Sequence, residues 1–355
     1  WTPTAPSHPP HPPSSSSRPP WLLPVAAAGL ALVVLVVALV SFTLRRRQSR
    51  RRRSAGEVSM HEALLRHALH DTEGGTRLSE NSVAIPYSSL HFLDKIGAGA
   101  SATVFAGQYL HTPVAIKRLN AMSDETAWTT LLHETHKLLH LRHPHVVQLL
   151  GVSQRSDELF VITELCATSM FSALSRQPPP DRNTRRRWGL EAARGLAFLH
   201  ARGVIHRDVK SPNLLITETG AVKVADLGLA RVVQDDGVLS SGGTLFWQAP
   251  EVIQGNSFSL PADVFSFSIV LWELSSEPYT TPFADVRRLH VAQHIADGGR
   301  PKPPTDVFWR DLIPLMQRGW SHEPVDRPKM LEMVAELERI ETADVQVERG
   351  SSDPH

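Results

Sequence analysis

The sequence has few of the residues that build disulfide frameworks or metal centres. Its single cysteine, Cys166, excludes an intrachain disulfide and suits a domain that folds in a reducing compartment. The 18 histidines are scattered, and neither a His-Glu-x-x-His nor a Cys-x-x-Cys spacing occurs. The sequence therefore lacks the patterns of a metal hydrolase, and it contains no internal repeat.

The chain also lacks a general excess of basic charge. Its net charge is +1, but seven arginines form one block, Arg45–Arg47 and Arg50–Arg53, with no acidic residue among them. Without this block, 30 Lys and Arg residues remain against 36 Asp and Glu residues. A general surface for nucleic acid is therefore not expected.

Two uncharged or nearly uncharged segments precede the arginine block. Residues 1–20 contain eight prolines and are otherwise mostly Ser and His, so they are expected to form a disordered stalk. Residues 21–44 carry no charge, and a helix of that length measures about 36 Å, enough to cross the roughly 30 Å apolar core of a bilayer. A cleaved signal peptide would be shorter and would follow its basic residues, so the pattern favours a transmembrane helix.

The arginine block predicts the orientation of this helix. By the positive-inside rule the N-terminus faces out, and everything after Leu44 is cytoplasmic, with the plasma membrane as the expected location. The block can also contact anionic lipid head groups. Residues 45–88 are expected to form a basic juxtamembrane linker, and residues 342–355 a C-terminal tail.

From residue 89 to residue 341 the composition is steadily globular. The first third alternates in the manner of strands, at Leu90–Ile96, Thr103–Tyr109, Val114–Leu119, Val146–Leu150 and Leu159–Thr163. The remainder has helical periodicity, at 182–202, 261–276, 285–296, 306–319 and 328–340. A strand-rich small lobe followed by a helical large lobe predicts an α+β, two-lobed fold.

The run from His206 to Asn213 reads H-R-D-x-K-x-x-N and carries the strongest chemical signal. Phosphoryl transfer needs a carboxylate at the attacking hydroxyl, a cation at the moving phosphate and oxygen ligands for Mg²⁺. Asp208 is the candidate base, and Lys210 can neutralise charge on the γ-phosphate. Asn213 and Asp226 are the candidate Mg²⁺ ligands, because a hard cation prefers oxygen.

A second set of residues suits the phosphates of a nucleotide. A glycine-rich loop between two strands is indicated by Gly97, Ala98, Gly99, Ala100, Ser101 and Val104. Taken alone, this run would also fit a plain hairpin turn. Lys117 ends the next apolar strand, and together with the loop it is expected to anchor the α- and β-phosphates.

An acidic partner for Lys117 is expected on the helix that follows. Glu134 is the favoured partner, in an ion pair that would hold the lysine towards the phosphates. Glu125 is the competing acid, but it lies near the start of the helix, where it suits the helix dipole.

Residues from about 91 to 340 resemble a eukaryotic protein kinase domain. More narrowly, they resemble the tyrosine-kinase-like group, which includes mixed-lineage kinases, Raf and plant receptor-like kinases. The resemblance rests on the stretches 141–147, 190–200, 206–215, 243–251 and 263–274. It implies ATP and Mg²⁺ as cofactors. It also implies serine or threonine as the acceptor, because a lysine at the position of Lys210 marks serine/threonine kinases in that family.

The resemblance implies further roles in nucleotide binding. Thr163 falls at the gatekeeper position, and Glu164 to Cys166 form the hinge that contacts adenine. Additional nucleotide contacts are implied for Ile96, Val104, Ala115 and Leu215. Cys166 is expected to be a half-buried small side chain and not a reactive thiol.

The resemblance also implies roles around the catalytic loop. Arg207 implies control by a phosphate on the loop 226–251, for which Ser240 and Ser241 are the expected acceptors. Three further roles are implied, namely support of Asp208 and Lys210 by Thr244, a buried ion pair of Glu251 with Arg327, and a grip on the catalytic-loop backbone by Asp263.

Three positions depart from the family's pattern. Leu227 replaces the usual phenylalanine in the metal-binding triplet, Ala102 replaces a glycine of the loop, and Ser268 stands where glycine is usual. None of these departures removes a charged catalytic group.

Together these features predict a membrane-anchored protein serine/threonine kinase in signal transduction, with homodimerisation for transphosphorylation. Two alternatives stay open. A dual-specificity or tyrosine kinase is disfavoured by Lys210. A catalytically silent nucleotide-binding scaffold is disfavoured by the complete set of Lys117, Asp208, Asn213 and Asp226.

Overall fold

The structure, a computed structural model, describes residues 83–99, 102–120, 125–227, 244–256 and 258–350. The predicted stalk, membrane span and most of the juxtamembrane linker lie outside these residues, as do Ala100, Ser101, Ser240 and Ser241. No helix within the described part of the chain has the length and apolar character needed to cross a bilayer.

The small lobe is an antiparallel five-stranded sheet in the order β1-β2-β3-β5-β4. Alternation sets its faces: Val114 and Ile116 of β3 are fully buried, whereas Ala115 and Lys117 between and after them are half-buried. The strands are β1 (Leu90–Ala98), β2 (Ala102–Tyr109), β3 (Thr112–Leu119), β4 (Leu149–Arg155) and β5 (Glu158–Glu164).

The predicted fourth strand, Val146–Leu150, is wrong in its position. The strand begins at Leu149, because the apolar residues before it pair elsewhere. Val146 forms an isolated bridge with Val224, and the Val147 amide donates to the Val224 carbonyl at 2.8 Å. These residues therefore connect the small lobe to the large lobe, a choice that alternation alone does not reveal.

A single long helix, α1 (Glu125–Leu139), covers the small-lobe sheet. Its fully buried Leu131 packs in one cluster with Leu119, Leu149 and Val152. This contact determines which face of α1 packs on the sheet, and therefore on which side of the helix the charged residues lie.

The large lobe is helical, with a small three-stranded sheet of β6 (Thr168–Ser169), β7 (Leu214–Ile216) and β8 (Val222–Val224) at the cleft. Its central helix buries Phe265 and Phe267 completely. The helices are α2 (Met170–Leu174), α3 (Arg182–His200), α4 (Pro250–Ile253), α5 (Leu260–Ser275), α6 (Val291–Ala296), α7 (Ile313–Gly319) and α8 (Met330–Gly350).

The predicted helix over 306–319 is divided in the structure. Val307–Leu312 is a 3₁₀ helix, and α7 starts afresh at Ile313 with Pro314 in its first turn. Proline lacks an amide hydrogen, so it is tolerated at a helix start and not inside one. The predicted helix over 285–296 is likewise shorter, since Arg288–His290 is a 3₁₀ turn before α6.

Two contacts connect the later helices of the large lobe to its earlier elements. Arg327 donates to both carboxylate oxygens of Glu251, at 2.6 and 2.8 Å, which confirms the predicted pair. Ser268 packs against Gly319, where an added Cβ would lie 1.9 Å from the Ser268 hydroxyl oxygen. The serine that departs from the family's pattern is thus accommodated by a glycine on α7.

Candidate active site

The catalytic loop is held by one buried carboxylate at the start of α5. Asp263 accepts hydrogen bonds from the backbone amides of His206, at 2.7 Å, and Arg207, at 2.9 Å. His200 Nε2 lies 2.9 Å from the same carboxylate. Because Asp263 is only 1% exposed, these contacts face no competition from water. The predicted role of Asp263 is confirmed.

Asp208 lies at the centre of the loop, and its carboxylate contacts Lys210 and Asn213. Lys210 Nζ donates to Asp208 Oδ2 at 2.9 Å. The Asn213 side-chain amide donates both to Oδ2 and to the main-chain oxygen of Asp208, each at 2.9 Å. The loop thus brings together the candidate base, the candidate cation and one candidate metal ligand within a single turn.

The backbone on both sides of this centre has a sparsely populated geometry. Arg207 and Asp226 each have φ of 68°, in the left-handed region that disfavours residues other than glycine. His206 connects the two positions, since its Nε2 lies 2.7 Å from the carbonyl oxygen of Ala225. Strain of this kind persists only where surrounding contacts enforce it, and it is common at active sites.

Lys117 from β3 reaches across the cleft and forms an ion pair with Asp226. Desolvation would raise the pKa of Asp226, but the Lys117 charge, with His206 and Lys210 nearby, outweighs it and holds the pKa below its usual value. The Asp226 side chain keeps 43% of its surface accessible, so desolvation is weaker here than for a sealed carboxylate and the lysine decides the direction.

The predicted ion pair between Lys117 and Glu134 is wrong for this conformation. Glu134 instead accepts from Lys137 Nζ at 2.6 Å, one helical turn further along α1. The i,i+3 spacing places these two side chains together on the helix surface, whereas Lys117 lies against Asp226. Glu134 remains on the helix that covers the sheet, but it makes no ion pair with Lys117.

The oxygen atoms at this corner suit a hard divalent cation. Both Asn213 contacts with Asp208 use the amide nitrogen, and Oδ1 takes part in neither. Asp226 carries a carboxylate whose pKa is lowered, so it is ionised at neutral pH. One amide oxygen and one carboxylate match the ligand preference of Mg²⁺, which binds few protein groups and keeps several waters. Groups of three or more His, Cys, Asp or Glu side chains that could hold a metal are absent from the described residues.

The apolar residues predicted to contact the nucleotide lie on β1, β2, β3 and β7, and their contacts with it stay predictions. Leu215 is half-buried, while its neighbours Leu214 and Ile216 turn the other way into the large-lobe core. The half-buried Val104 and Ala115 and the 53% exposed Ile96 stand on the small-lobe strands. At the loop before β2, the Gly99 amide donates to the Ala102 carbonyl at 2.8 Å, so the described ends of the glycine-rich loop close as a hairpin.

The hinge lies between the two lobes and is fixed by Glu164. Its carboxylate accepts from the Gln148 backbone amide at 2.6 Å and from Lys223 Nζ at 2.8 Å, which joins β5 to β8 and to the residue before β4. Thr163 pairs with Ala115 across the sheet, at the predicted gatekeeper position. Burial, then the Glu164 charge, raises the pKa of Cys166 to about 11, so its thiol is protonated at neutral pH. Such a thiol is a poor nucleophile, as expected.

One buried carboxylate that joins the catalytic loop to the turn at Trp247 was not predicted from the sequence. Glu273 of α5 is fully buried and accepts from Ser211 Oγ at 2.7 Å, Trp247 Nε1 at 2.7 Å and Tyr279 OH at 2.9 Å. Burial raises its pKa to about 7, although the three donors oppose that shift. The available signal was an acidic residue inside an otherwise apolar helical segment, a pattern that indicates a buried, hydrogen-bonded carboxylate.

Thr244–Trp247 forms a 3₁₀ turn beside the catalytic loop. Trp247 and Asp208 line the wall of the same small cavity, so the turn flanks the candidate base. Support of Asp208 and Lys210 by Thr244 stays a prediction. Leu227 packs against the large-lobe core, which retains an apolar anchor in place of phenylalanine.

A two-lobed fold with this cleft defines a protein kinase domain. A family model described as protein tyrosine and serine/threonine kinase matches residues 90–337, and the chain belongs to that family. The family uses ATP and a divalent metal ion.

Many characterised proteins are similar to this chain. It is 34% identical over 256 residues to the serine/threonine-protein kinase STY46 of Arabidopsis thaliana, covering 71% of this chain and 44% of that protein. It is 33% identical over 269 residues to the probable serine/threonine-protein kinase kinX of Dictyostelium discoideum, covering 73% and 24%. It is 31% identical over 247 residues to the mitogen-activated protein kinase kinase kinase dlk-1 of Caenorhabditis briggsae, covering 69% and 28%. The matched regions span less than half the length of these relatives.

Proposed function

We propose that this chain is a membrane-anchored protein serine/threonine kinase that transfers the γ-phosphoryl group of ATP to hydroxyls of protein substrates in signal transduction. The observation that carries the proposal is the contact of Lys210 with Asp208 at 2.9 Å. A lysine in this position can neutralise the negative charge that develops on the transferred phosphate, while the carboxylate of Asp208 contacts the acceptor hydroxyl. The names of the relatives, all of them serine/threonine kinases or a kinase of the mitogen-activated cascade, support the same acceptor class.

The residues divide the chemistry between them. Asp208 orients the acceptor hydroxyl and takes its proton, and Lys210 stabilises negative charge beside it. Lys117 holds the α- and β-phosphates, while Asn213 and Asp226 hold Mg²⁺ through oxygen. When bound, ATP would supply the phosphoryl group and Mg²⁺ would neutralise its charge. The ion pair of Lys117 with Asp226 brings the proposed phosphate anchor next to a proposed Mg²⁺ ligand, which supports this division of roles.

Membrane anchoring rests on the sequence. The uncharged residues 21–44 and the seven arginines after them support a single span with the catalytic domain in the cytoplasm. A site-specific test labels single cysteines placed at Ser14 and Ser54 in a Cys166→Ser background with a membrane-impermeant reagent in intact cells. Labelling at position 14 alone supports the orientation, whereas labelling at both or neither contradicts it.

Phosphate transfer by the full chain is the decisive test of the catalytic part. The protein is incubated with labelled ATP, Mg²⁺ and a general protein substrate, beside Asp208→Asn. We expect labelled serine and threonine from the parent protein alone. Labelled tyrosine would establish dual specificity, and a folded, ATP-binding protein without transfer would support the scaffold alternative.

A further inference from the structure

An exposed basic turn of the large lobe lies directly before α6. Arg287, Arg288, Leu289 and His290 are all exposed, and Leu289 is 88% accessible. Arg288–His290 is the 3₁₀ helix before α6. The turn therefore presents two guanidinium groups and an apolar side chain together to solvent.

The basic turn contacts the segment that flanks the catalytic base. The Arg288 guanidinium carbon lies 6.0 Å from the centre of the Phe246 ring, in a cation–π contact. The Phe246 and Trp247 ring centres are 6.1 Å apart, and Trp247 shares a cavity wall with Asp208. A continuous path of side chains thus runs from Asp208 to Arg288.

This path is short on the scale of an extended peptide. Each residue of such a peptide advances about 3.3 Å, so the two measured steps, from Arg288 to Phe246 and from Phe246 to Trp247, span no more than about four residues together, and Trp247 lines the same small cavity as Asp208. A substrate whose hydroxyl lies at Asp208 therefore brings a residue two to four positions away to the basic turn.

Within the part of the chain that the structure describes, no ion pair neutralises the charge of the turn. Two carboxylates of the large lobe have other partners: Asp285, two residues before Arg287 in the chain, pairs with Lys302 at 3.2 Å, and Glu251 pairs with Arg327. No described carboxylate forms an ion pair with Arg287 or Arg288. Arg182 of α3, by contrast, contacts both Glu277 and Asp306.

We propose that Arg287 and Arg288 determine substrate specificity by binding the carboxylate of an Asp or Glu residue two to four positions from the phosphorylated hydroxyl. The inference rests on the proposed kinase function and refines its substrate class. Arginine suits the task because its planar fork binds a carboxylate with two hydrogen bonds. Leu289 adds an apolar contact for the substrate residues beside that acid.

The test uses the full chain and a set of peptides with one serine in a neutral alanine and glycine background. One Glu is placed in turn at each position from four before to four after the serine. We expect kcat/KM to exceed that of the neutral peptide by about three- to tenfold at one or two positions two to four residues away, as for exposed ion pairs that act together. The preference should shrink as salt rises, because exposed charges are screened.

Charge reversal then identifies the residues. In Arg287→Glu/Arg288→Glu the ratio of kcat/KM for the Glu peptide to that for the neutral peptide should fall to one or below, and a Lys peptide should become preferred. The matched control is Arg310→Glu, an exposed arginine on another surface, which should leave the ratio unchanged. An unchanged ratio in the double variant overturns the proposal.

The remaining outcomes separate this inference from the kinase assignment. Equal transfer to the neutral and Glu peptides by the parent protein overturns the specificity and leaves the kinase function standing. Absence of transfer to every peptide and protein overturns both. A parallel peptide with phosphoserine in place of Glu distinguishes the anion: a preference for phosphoserine without one for Glu overturns the carboxylate assignment.

Discussion

Asp208 in the large lobe and Lys117 in the small lobe both have charged partners, but their surroundings differ. The loop that carries Asp208 is fixed by Asp263, which is almost fully buried and binds two backbone amides. Lys117 depends on a single ion pair with Asp226, whose side chain is 43% accessible. Glu134, the expected third member, is occupied by Lys137 on the helix surface.

This difference shows that the half of the site around Asp208 is rigidly held, whereas the half around Lys117 can rearrange. Buried bonds to backbone amides cost free energy to break, because the freed groups find no water. Exposed ion pairs exchange partners at a cost of about 1 kcal/mol or less. We therefore expect the catalytic loop to keep its geometry through the reaction, and the corner formed by Lys117, Asp226 and Glu134 to change partners.

The largest effect is expected at the catalytic base. Asp208→Asn retains an oxygen for Lys210 but cannot accept a proton, so kcat should fall about 10³-fold. The measurement is the rate of phosphate transfer at saturating ATP. The thermal midpoint of unfolding should stay within a few degrees of the parent value, and a loss in kcat below tenfold would contradict the assigned role.

The next prediction tests Asp263, which holds the catalytic loop in place. Asp263→Asn replaces the carboxylate that accepts from two backbone amides by a neutral side chain with one acceptor oxygen. We therefore expect a loss of about 3 kcal/mol in the free energy of unfolding. Urea unfolding measures it. Asp285→Asn, in an exposed pair with Lys302, is the matched control and should cost less than about 0.5 kcal/mol. Equal losses in the two variants would mean that Asp263 does not hold the loop.

The buried carboxylate between the catalytic loop and the substrate side predicts a pH dependence. The pKa of Glu273 is raised to about 7 from its usual 4.5, so the folded protein holds a proton that the unfolded chain releases. The stabilisation that this proton gives is complete below pH 4.5 and is lost as pH rises towards 7. Between pH 5 and pH 8 the loss should be about 2 kcal/mol.

Glu273→Gln isolates that contribution. Its amide oxygen can face Trp247 while its amide nitrogen faces the hydroxyls of Ser211 and Tyr279, which can accept as well as donate. The fall in unfolding free energy between pH 5 and pH 8 should therefore be about 2 kcal/mol smaller in the variant. An identical pH profile in parent and variant would show that Glu273 does not titrate in this range.

The smallest effect is expected in the half that can rearrange. Lys137→Met removes the surface partner of Glu134, an i,i+3 pair worth about 0.3–0.5 kcal/mol, and leaves Glu134 free to approach Lys117. We expect the KM for ATP to fall by up to about twofold. Lys302→Met is the control for loss of one exposed lysine. A rise in KM would indicate that the pair with Lys137 supports the active arrangement.

Patterns local in the chain were the most predictable. Alternation located four of the five small-lobe strands to within a few residues, because one face of each is buried and the other is not. It placed the fourth strand too early, since Val146 and Val147 are apolar for a different reason, namely their contact with Val224. The predicted bounds of the helix over 306–319 were wrong, because Pro314 permits a helix to start there but does not by itself show that the preceding residues form a separate turn.

The site divides in the same way. The sequence by itself determined the family and the grouping of Asp208, Lys210 and Asn213, because these residues lie in one turn and their spacing brings them together. The membrane span and its orientation stay predictions, which rest on the uninterrupted apolar length and the arginines that follow. The tertiary structure alone decided that Lys117 pairs with Asp226 and that Glu273 joins Ser211, Trp247 and Tyr279. It also brought Arg288 to Phe246. Most of these contacts join residues far apart in the chain, and which partner a charge takes depends on burial and distance, which only packing fixes.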